Sequence, residues 1–274
     1  MLTDEQGPKL TVAFSPCPND TFMFHDLAVG RLAGKGGRVA CHLHDVETLN
    51  RLALAGEYDV TKVSFHTYLQ IRNQYELLDV GAALGFGCGP LVVARNNLAK
   101  MDLRTSRTAV PGEHTTAHLL LRLWAPQMQN RFFVPYDRVM DLVADGQADC
   151  GVIIHEGRFV YAKRLLRCLV DLGQWWQDQT GLPVPLGGIV ARRRLGRAVI
   201  GEFQDLLRRA IQHSLDDPAG TTEYVRRHAQ EMDEQVLARH VRTYVNDFSL
   251  ALGPQGRQAV AVLEQLARDA GVIA

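Results

Sequence analysis

Asp149-Cys150-Gly151-Val152-Ile153-Ile154-His155-Glu156-Gly157-Arg158-Phe159 sets a short apolar run directly before a histidine, a glutamate and a glycine. Cys150 to Ile154 has the length of one strand, bounded by the turn-like Asp145-Gly146-Gln147 and by Gly157, and its unbroken apolarity predicts a strand covered on both faces. Strands of that kind belong to open α/β sheets, where ligands gather outside the carboxyl ends and short loops present side chains and helix N-termini. His155 would stand at such an end. The alternative is a structural loop histidine satisfied by hydrogen bonds.

Strands and helices alternate on either side of this segment. Leu10 to Phe14 reads as a first strand, followed by the turn Ser15-Pro16-Cys17-Pro18-Asn19-Asp20 and an apolar-periodic helix from about Thr21 to Leu32. Two prolines stiffen the turn and Asn19 or Asp20 can cap the helix, which would hold N–H groups and side chains toward the strand end. Arg38 to His44 and Tyr58 to Ser64 read as further strands, each leading into a helix, Val46 to Leu54 and Phe65 onward. Three successive βα units predict a parallel sheet with right-handed crossovers.

After Gly85-Phe86-Gly87-Cys88-Gly89-Pro90 and a strand from Leu91 to Arg95, the chain becomes polar from Asn96 to Arg107. A second α/β unit follows: the strand Thr108 to Val110, the turn Pro111-Gly112-Glu113-His114, a helix Thr116 to Trp124, the strand Phe132 to Val134, a helix Tyr136 to Ala144 and the strand ending at His155. Val184 to Arg192 would carry the chain back, and the remainder reads as amphipathic helices covering the first lobe. The expected organisation is a larger α/β lobe from residues 1–95 and 193–274, a smaller one from 96–192, and a cleft between them. That is the layout of hinged binding proteins.

Composition narrows the function classes. With 30 basic against 30 acidic residues in 274, no excess charge attracts nucleic acid or an anionic membrane. The five cysteines are widely spaced and mostly in apolar segments, as expected of reduced core residues in the cytoplasm rather than of a disulfide or zinc framework. Acidic residues at Asp4 and Glu5 stand where a signal peptide needs basic ones, and no segment reaches membrane-spanning length, so neither export nor membrane insertion is expected. A monomer and a homodimer are both compatible with these features.

Several groups could act in the cleft. Thr115 and Thr116 open a helix behind Pro111-Gly112, where their hydroxyls and the first free N–H groups could hold a carboxylate or phosphate, or where Thr115 could simply cap the helix. Ser64 and the Ser15 to Asp20 turn end strands of the opposite lobe and would reach the same place. His42 with His44, and His114 with His118, have spacings that could chelate a metal, but the second pair lacks the glutamate of His-Glu-x-x-His and neither has a third ligand, so no metal site is expected. The glycines from Gly85 to Gly89 fit neither a phosphate-binding loop nor a dinucleotide fingerprint, and Cys17 has no basic neighbour in sequence to activate it. His155 is a reasonable general base near neutral pH for proton abstraction followed by elimination or retro-aldol cleavage.

Taken together, Ser15-Pro16-Cys17-Pro18-Asn19-Asp20-Thr21-Phe22, Asp45-Val46-Glu47-Thr48-Leu49-Asn50, Asp59 to His66, Gly87-Cys88-Gly89-Pro90-Leu91, Pro111-Gly112 with Thr115-Thr116-Ala117, and Ile154 to Phe159 resemble the 1,4-dihydroxy-6-naphthoate synthases of the futalosine route to menaquinone. The resemblance runs from about Leu10 to Arg193. It implies a type 2 periplasmic-binding-protein-like fold used in the cytoplasm by a lyase. Such enzymes convert cyclic dehypoxanthinyl futalosine, a small-molecule carboxylate, into 1,4-dihydroxy-6-naphthoate and dihydroxyacetone, with no metal or organic cofactor. The resemblance puts the base at His155, ligand contacts at Ser64, Thr115 and Thr116, and cleft-facing positions at Asn19, Asp20 and Asn50. A solute-binding protein of the same fold and the related chorismate dehydratase are the competing readings; the first would carry an export signal and the second lacks the Ser-Pro-Cys-Pro-Asn-Asp opening.

Overall fold

The fold described here is a computed structural model covering residues 10–34, 37, 39–96, 102–230 and 233–273. Its strands are β1 Thr11–Phe14, β2 Ala40–Leu43, β3 Val60–Ser64, β4 Tyr75–Leu77, β5 Ala83–Gly85, β6 Leu91–Arg95, β7 Thr108–Val110, β8 Arg131–Phe133, β9 Cys150–Ile153, β10 Leu166–Asp171 and β11 Val184–Arg192. They sort into two sheets, one ordered β2-β1-β3-β11-β4 with β5 also on β11, the other ordered β10-β6-β9-β7-β8. β9, the apolar run that precedes His155, is wholly buried between β6 and β7 at the centre of the second sheet. The two-lobed α/β class expected from the sequence is the observed one.

Several boundaries and directions differ from the expectation. β6 pairs with β9 and β10, so it belongs to the second sheet, while β11 pairs with β3 and belongs to the first. The crossings therefore fall before Leu91 and before Val184, not after residues 95 and 192. β1, β2 and β3 are parallel as predicted, but β11 runs antiparallel to β3, and β6 antiparallel to β9, so both sheets are mixed. A strand that brings the chain back from the other lobe is free of the βα crossover that enforces parallel pairing. The predicted strand start at Arg38 lies outside the described residues; β2 begins at Ala40.

The first helix spans Pro18–Ala28, starting earlier than its apolar period suggested, with Cys17 as N-cap and Pro18 as the first helical residue. Proline needs no N–H partner there and its φ is already helical. Asp45 caps the helix Val46–Ala55 through the N–H groups of Glu47 and Thr48, and Gly56 ends it at φ 72°. One apolar core lies on the first sheet, with Phe14 and Phe24 stacked at 4.4 Å between centroids and Phe203 and Leu207 from the helix Gly196–Asp216. Another joins the two sheets through Leu84, Val92, Leu119, Val152 and Trp176 and takes in Leu263 of the helix Gly253–Asp269. No helix among the described residues is long and apolar enough to cross a membrane.

Candidate active site

The carboxyl ends of β1, β3 and β9, with the helix after β7, meet at a cleft of about 650 Å³ empty volume. One wall is the turn after β1. There the buried Asp20 carboxylate accepts from Ser15 Oγ at 2.6 Å, from Ser15 N at 3.2 Å and from Asn19 Nδ2 at 2.8 Å. It also forms an ion pair with Lys62 Nζ of β3 at 2.8 Å. Ser15, Asn19, Asp20, Lys62 and Ser64 line this wall. Asn50 does not; fully buried behind Ser64, it accepts from the Ser64 N–H at 2.9 Å and donates to Ser64 Oγ at 3.1 Å. It orients the serine instead of facing the cleft, which corrects its expected position.

The opposite wall carries Thr115, Thr116 and Ala117 at the start of the helix Thr116–Trp124. Thr115 caps that helix, its hydroxyl donating to Gly112 O at 3.0 Å and accepting from His118 N at 3.2 Å. Thr116 Oγ1 donates to Leu186 O at 2.6 Å and accepts from His66 N at 3.3 Å. Both hydroxyl hydrogens are thus committed within the protein, and what this wall can offer an anion is the N–H groups of the helix's first turn, which have no partner inside the helix.

His155 follows β9 with φ at 55°, a left-handed conformation unusual for a residue with a side chain. Through it the ring is turned into the cleft, its Nδ1 3.5 Å from Cys17 Sγ and its face edge-on to Tyr136 at 5.0 Å. His155 is half-buried. Burial pushes its pKa down to about 4; Asp20 and Asp45 oppose the shift and Lys62 adds to it. Cys17 stays a thiol, since burial first and then the carboxylates of Glu156 and Asp20 raise its pKa well above the ordinary value.

Three groups in this neighbourhood, His240, Tyr244 and Lys62, were not singled out from the sequence. His240, on the helix Glu234–Tyr244, is fully buried, lies nearly parallel to His155 at 6.2 Å between centroids, and its Nε2 is 3.0 Å from Asn19 Oδ1. Burial, reinforced by His155 and Lys62, keeps it neutral. Tyr244 of the same helix lines the cleft, so the C-terminal helices build part of the site as well as covering the first lobe. Lys62 was the third, because a lysine inside a strand reads as solvent-facing. Of the histidines considered for metal binding, His44 Nε2 is 2.8 Å from the Tyr58 hydroxyl and His118 is buried with Nδ1 2.8 Å from Glu113 O.

Residues 10–269 match a family model described as menaquinone biosynthesis. The chain belongs to this family. A relative from Thermus thermophilus, named 1,4-dihydroxy-6-naphthoate synthase, is 47% identical over 97% of this chain and 96% of its own length. Another of that name, from Streptomyces coelicolor, is 42% identical over 96% and 94%. Among solved structures, protein AF1704 from Archaeoglobus fulgidus superposes with a TM-score of 0.91 at 35% identity, covering 97% of this chain and 98% of that one. The Candida albicans CA3427 gene product, described as having the generic periplasmic binding protein fold, gives a TM-score of 0.70 at 15% identity over 97% and 91% of the two chains, and establishes the fold class of this family member.

Proposed function

We propose that the chain is a 1,4-dihydroxy-6-naphthoate synthase, a lyase that cleaves a carbon–carbon bond of cyclic dehypoxanthinyl futalosine and releases dihydroxyacetone, with His155 as general base and without metal or organic cofactor. The observation that carries this reading is the left-handed turn at His155, which directs an unprotonated imidazole into a cleft whose facing wall is a helix N-terminus. Backbone conformations of this cost, about 1–3 kcal/mol, persist where the surroundings enforce them, often at functional sites.

Chemically, the imidazole takes a proton from the substrate, the electron pair left behind drives cleavage of the carbon–carbon bond, and the imidazolium returns its proton to the departing fragment. A histidine of pKa about 4 is unprotonated at neutral pH but weakly basic. A substrate carboxylate seated at the N-terminus of the helix Thr116–Trp124 would add negative charge beside it and make it a stronger base, as Asp20 and Asp45 do to a lesser degree. Identity to relatives named for this activity supports the substrate assignment.

The test is turnover of cyclic dehypoxanthinyl futalosine by the purified protein, with product identification. His155→Ala should lower kcat by roughly two to four orders of magnitude while leaving the fold intact. Tight binding of the substrate by the unaltered protein with no product would favour a solute-binding protein, and near-normal turnover by the variant would remove His155 from the mechanism.

A further inference from the structure

Glu47 stands outside the cleft, yet it bridges the two lobes at the turn that leads into the threonine pair. It occupies the first turn of the helix Val46–Ala55, in the first lobe. Its Oε1 accepts from the Glu113 N–H and its Oε2 from the His114 N–H, each at 3.1 Å, across to the second lobe. Two parallel N–H donors on one carboxylate make a bidentate, charge-assisted contact, which fixes orientation as well as distance. The approach is close enough that only glycine fits beneath it: a Cβ on Gly112, whose φ is 115°, would lie 2.4 Å from Glu47 Oε2. Within its own helix Glu47 also forms an i, i+4 pair with the exposed Arg51 at 3.3 Å.

The two N–H groups held by Glu47 immediately precede those of Thr115, Thr116 and Ala117, which border the cleft. We propose that Glu47 is a positioning residue for substrate binding: by clamping the N–H groups of Glu113 and His114 it fixes the direction of the next N–H groups toward the substrate's carboxylate. One carboxylate, supplied by the protein, thus takes the outer part of a run of backbone donors, and a second, supplied by the ligand, takes the inner part. The inference rests on the carboxylate substrate proposed above, while the clamp itself does not. Thr67 Oγ1 donates to His114 O at 3.0 Å, so the turn has a second tether and its loss of order on removal of Glu47 should stay local.

Three proteins test this: Glu47→Ala, Glu47→Gln, which keeps one acceptor, and Arg51→Ala as a control that leaves the carboxylate in place. Hydrogen exchange in the unliganded protein reads the clamp. Amides of residues 113–117 should exchange about tenfold faster or more in Glu47→Ala, less so in Glu47→Gln, and as in the unaltered protein in Arg51→Ala, the usual effect of losing a charge-assisted bond. Steady-state kinetics read the positioning role, with KM for cyclic dehypoxanthinyl futalosine rising about tenfold to a hundredfold in Glu47→Ala, to an intermediate value in Glu47→Gln, and kcat within about threefold. Unchanged exchange overturns the clamp whatever the enzyme's substrate is. Faster exchange with unchanged KM overturns the positioning role. If the unaltered protein turns over no substrate, the functional reading fails and takes the positioning role with it, while exchange still decides the clamp.

Discussion

Replacing Lys62 with methionine keeps the length of the side chain and removes its charge from a place with almost no solvent. The side chains of Lys62 and Asp20 are 7% and 2% exposed, and their charged atoms are 2.8 Å apart. Leaving one partner of such a pair alone typically costs about 3–5 kcal/mol, more than the intact pair contributes relative to an apolar replacement. Asp20 retains donors in Ser15 N, Ser15 Oγ and Asn19 Nδ2, so the loss should fall near the lower end, about 3 kcal/mol. Asp20→Asn should cost a similar amount by stranding the ammonium. The double variant discards both charges and strands neither, so its loss should be no more than about 3 kcal/mol rather than the sum of about 6, an interaction energy of at least about 3 kcal/mol. Urea unfolding at neutral pH measures all three. Removing Lys62 also removes one cause of the low His155 pKa, so the imidazole should titrate at higher pH in Lys62→Met, as read by NMR. A Lys62→Met loss under about 0.5 kcal/mol, or strict additivity in the double variant, would refute the reasoning.

Other perturbations test neighbouring parts of the structure. His66 and His118 are buried, with ring centroids 6.2 Å apart, and burial lowers each pKa to about 4. The unfolded chain takes up these protons near pH 6.5 and the folded one does not until about 4, so stability is fully present above pH 6.5 and falls by about 1.4 kcal/mol per pH unit per histidine in between. Urea unfolding at pH 7 and 5 should show a loss of about 2 kcal/mol per histidine, diminished in His66→Leu; equal pH dependence in that variant would contradict the assignment. Asn50→Ala leaves the Ser64 N–H and hydroxyl without their buried partner and should cost about 2–4 kcal/mol in thermal unfolding, with a higher substrate KM. A change of only a few tenths of a kcal/mol would mean that water replaces the amide.

Much of this molecule was legible because it is encoded locally. The apolar run before His155 suited a covered strand, and it became the centre of a sheet. Thr115 behind Pro111-Gly112 could be read as a helix cap, and it is one. Strand direction was less accessible: β11 has the composition of any buried strand, and nothing in its residues distinguishes an antiparallel return from another parallel crossover. The hydrogen-bond partner of the Thr116 hydroxyl was hidden for a related cause, since Leu186 O, which takes its hydrogen, comes from a distant strand.

The sequence by itself determined the α/β class, the alternation that yields two lobes, and the short motifs that put a histidine, a serine and a helix N-terminus at strand ends, because these depend on periodicity and turn chemistry within a few residues. Tertiary structure alone decided which groups are charged, neutral or already occupied. His155 is held neutral by burial, Lys62 is retained inside because Asp20 lies 2.8 Å away, and Glu47 is joined to a turn of the opposite lobe. Desolvation and hydrogen-bond geometry arise only when segments far apart in the chain are brought together, so residue types and spacing do not contain them.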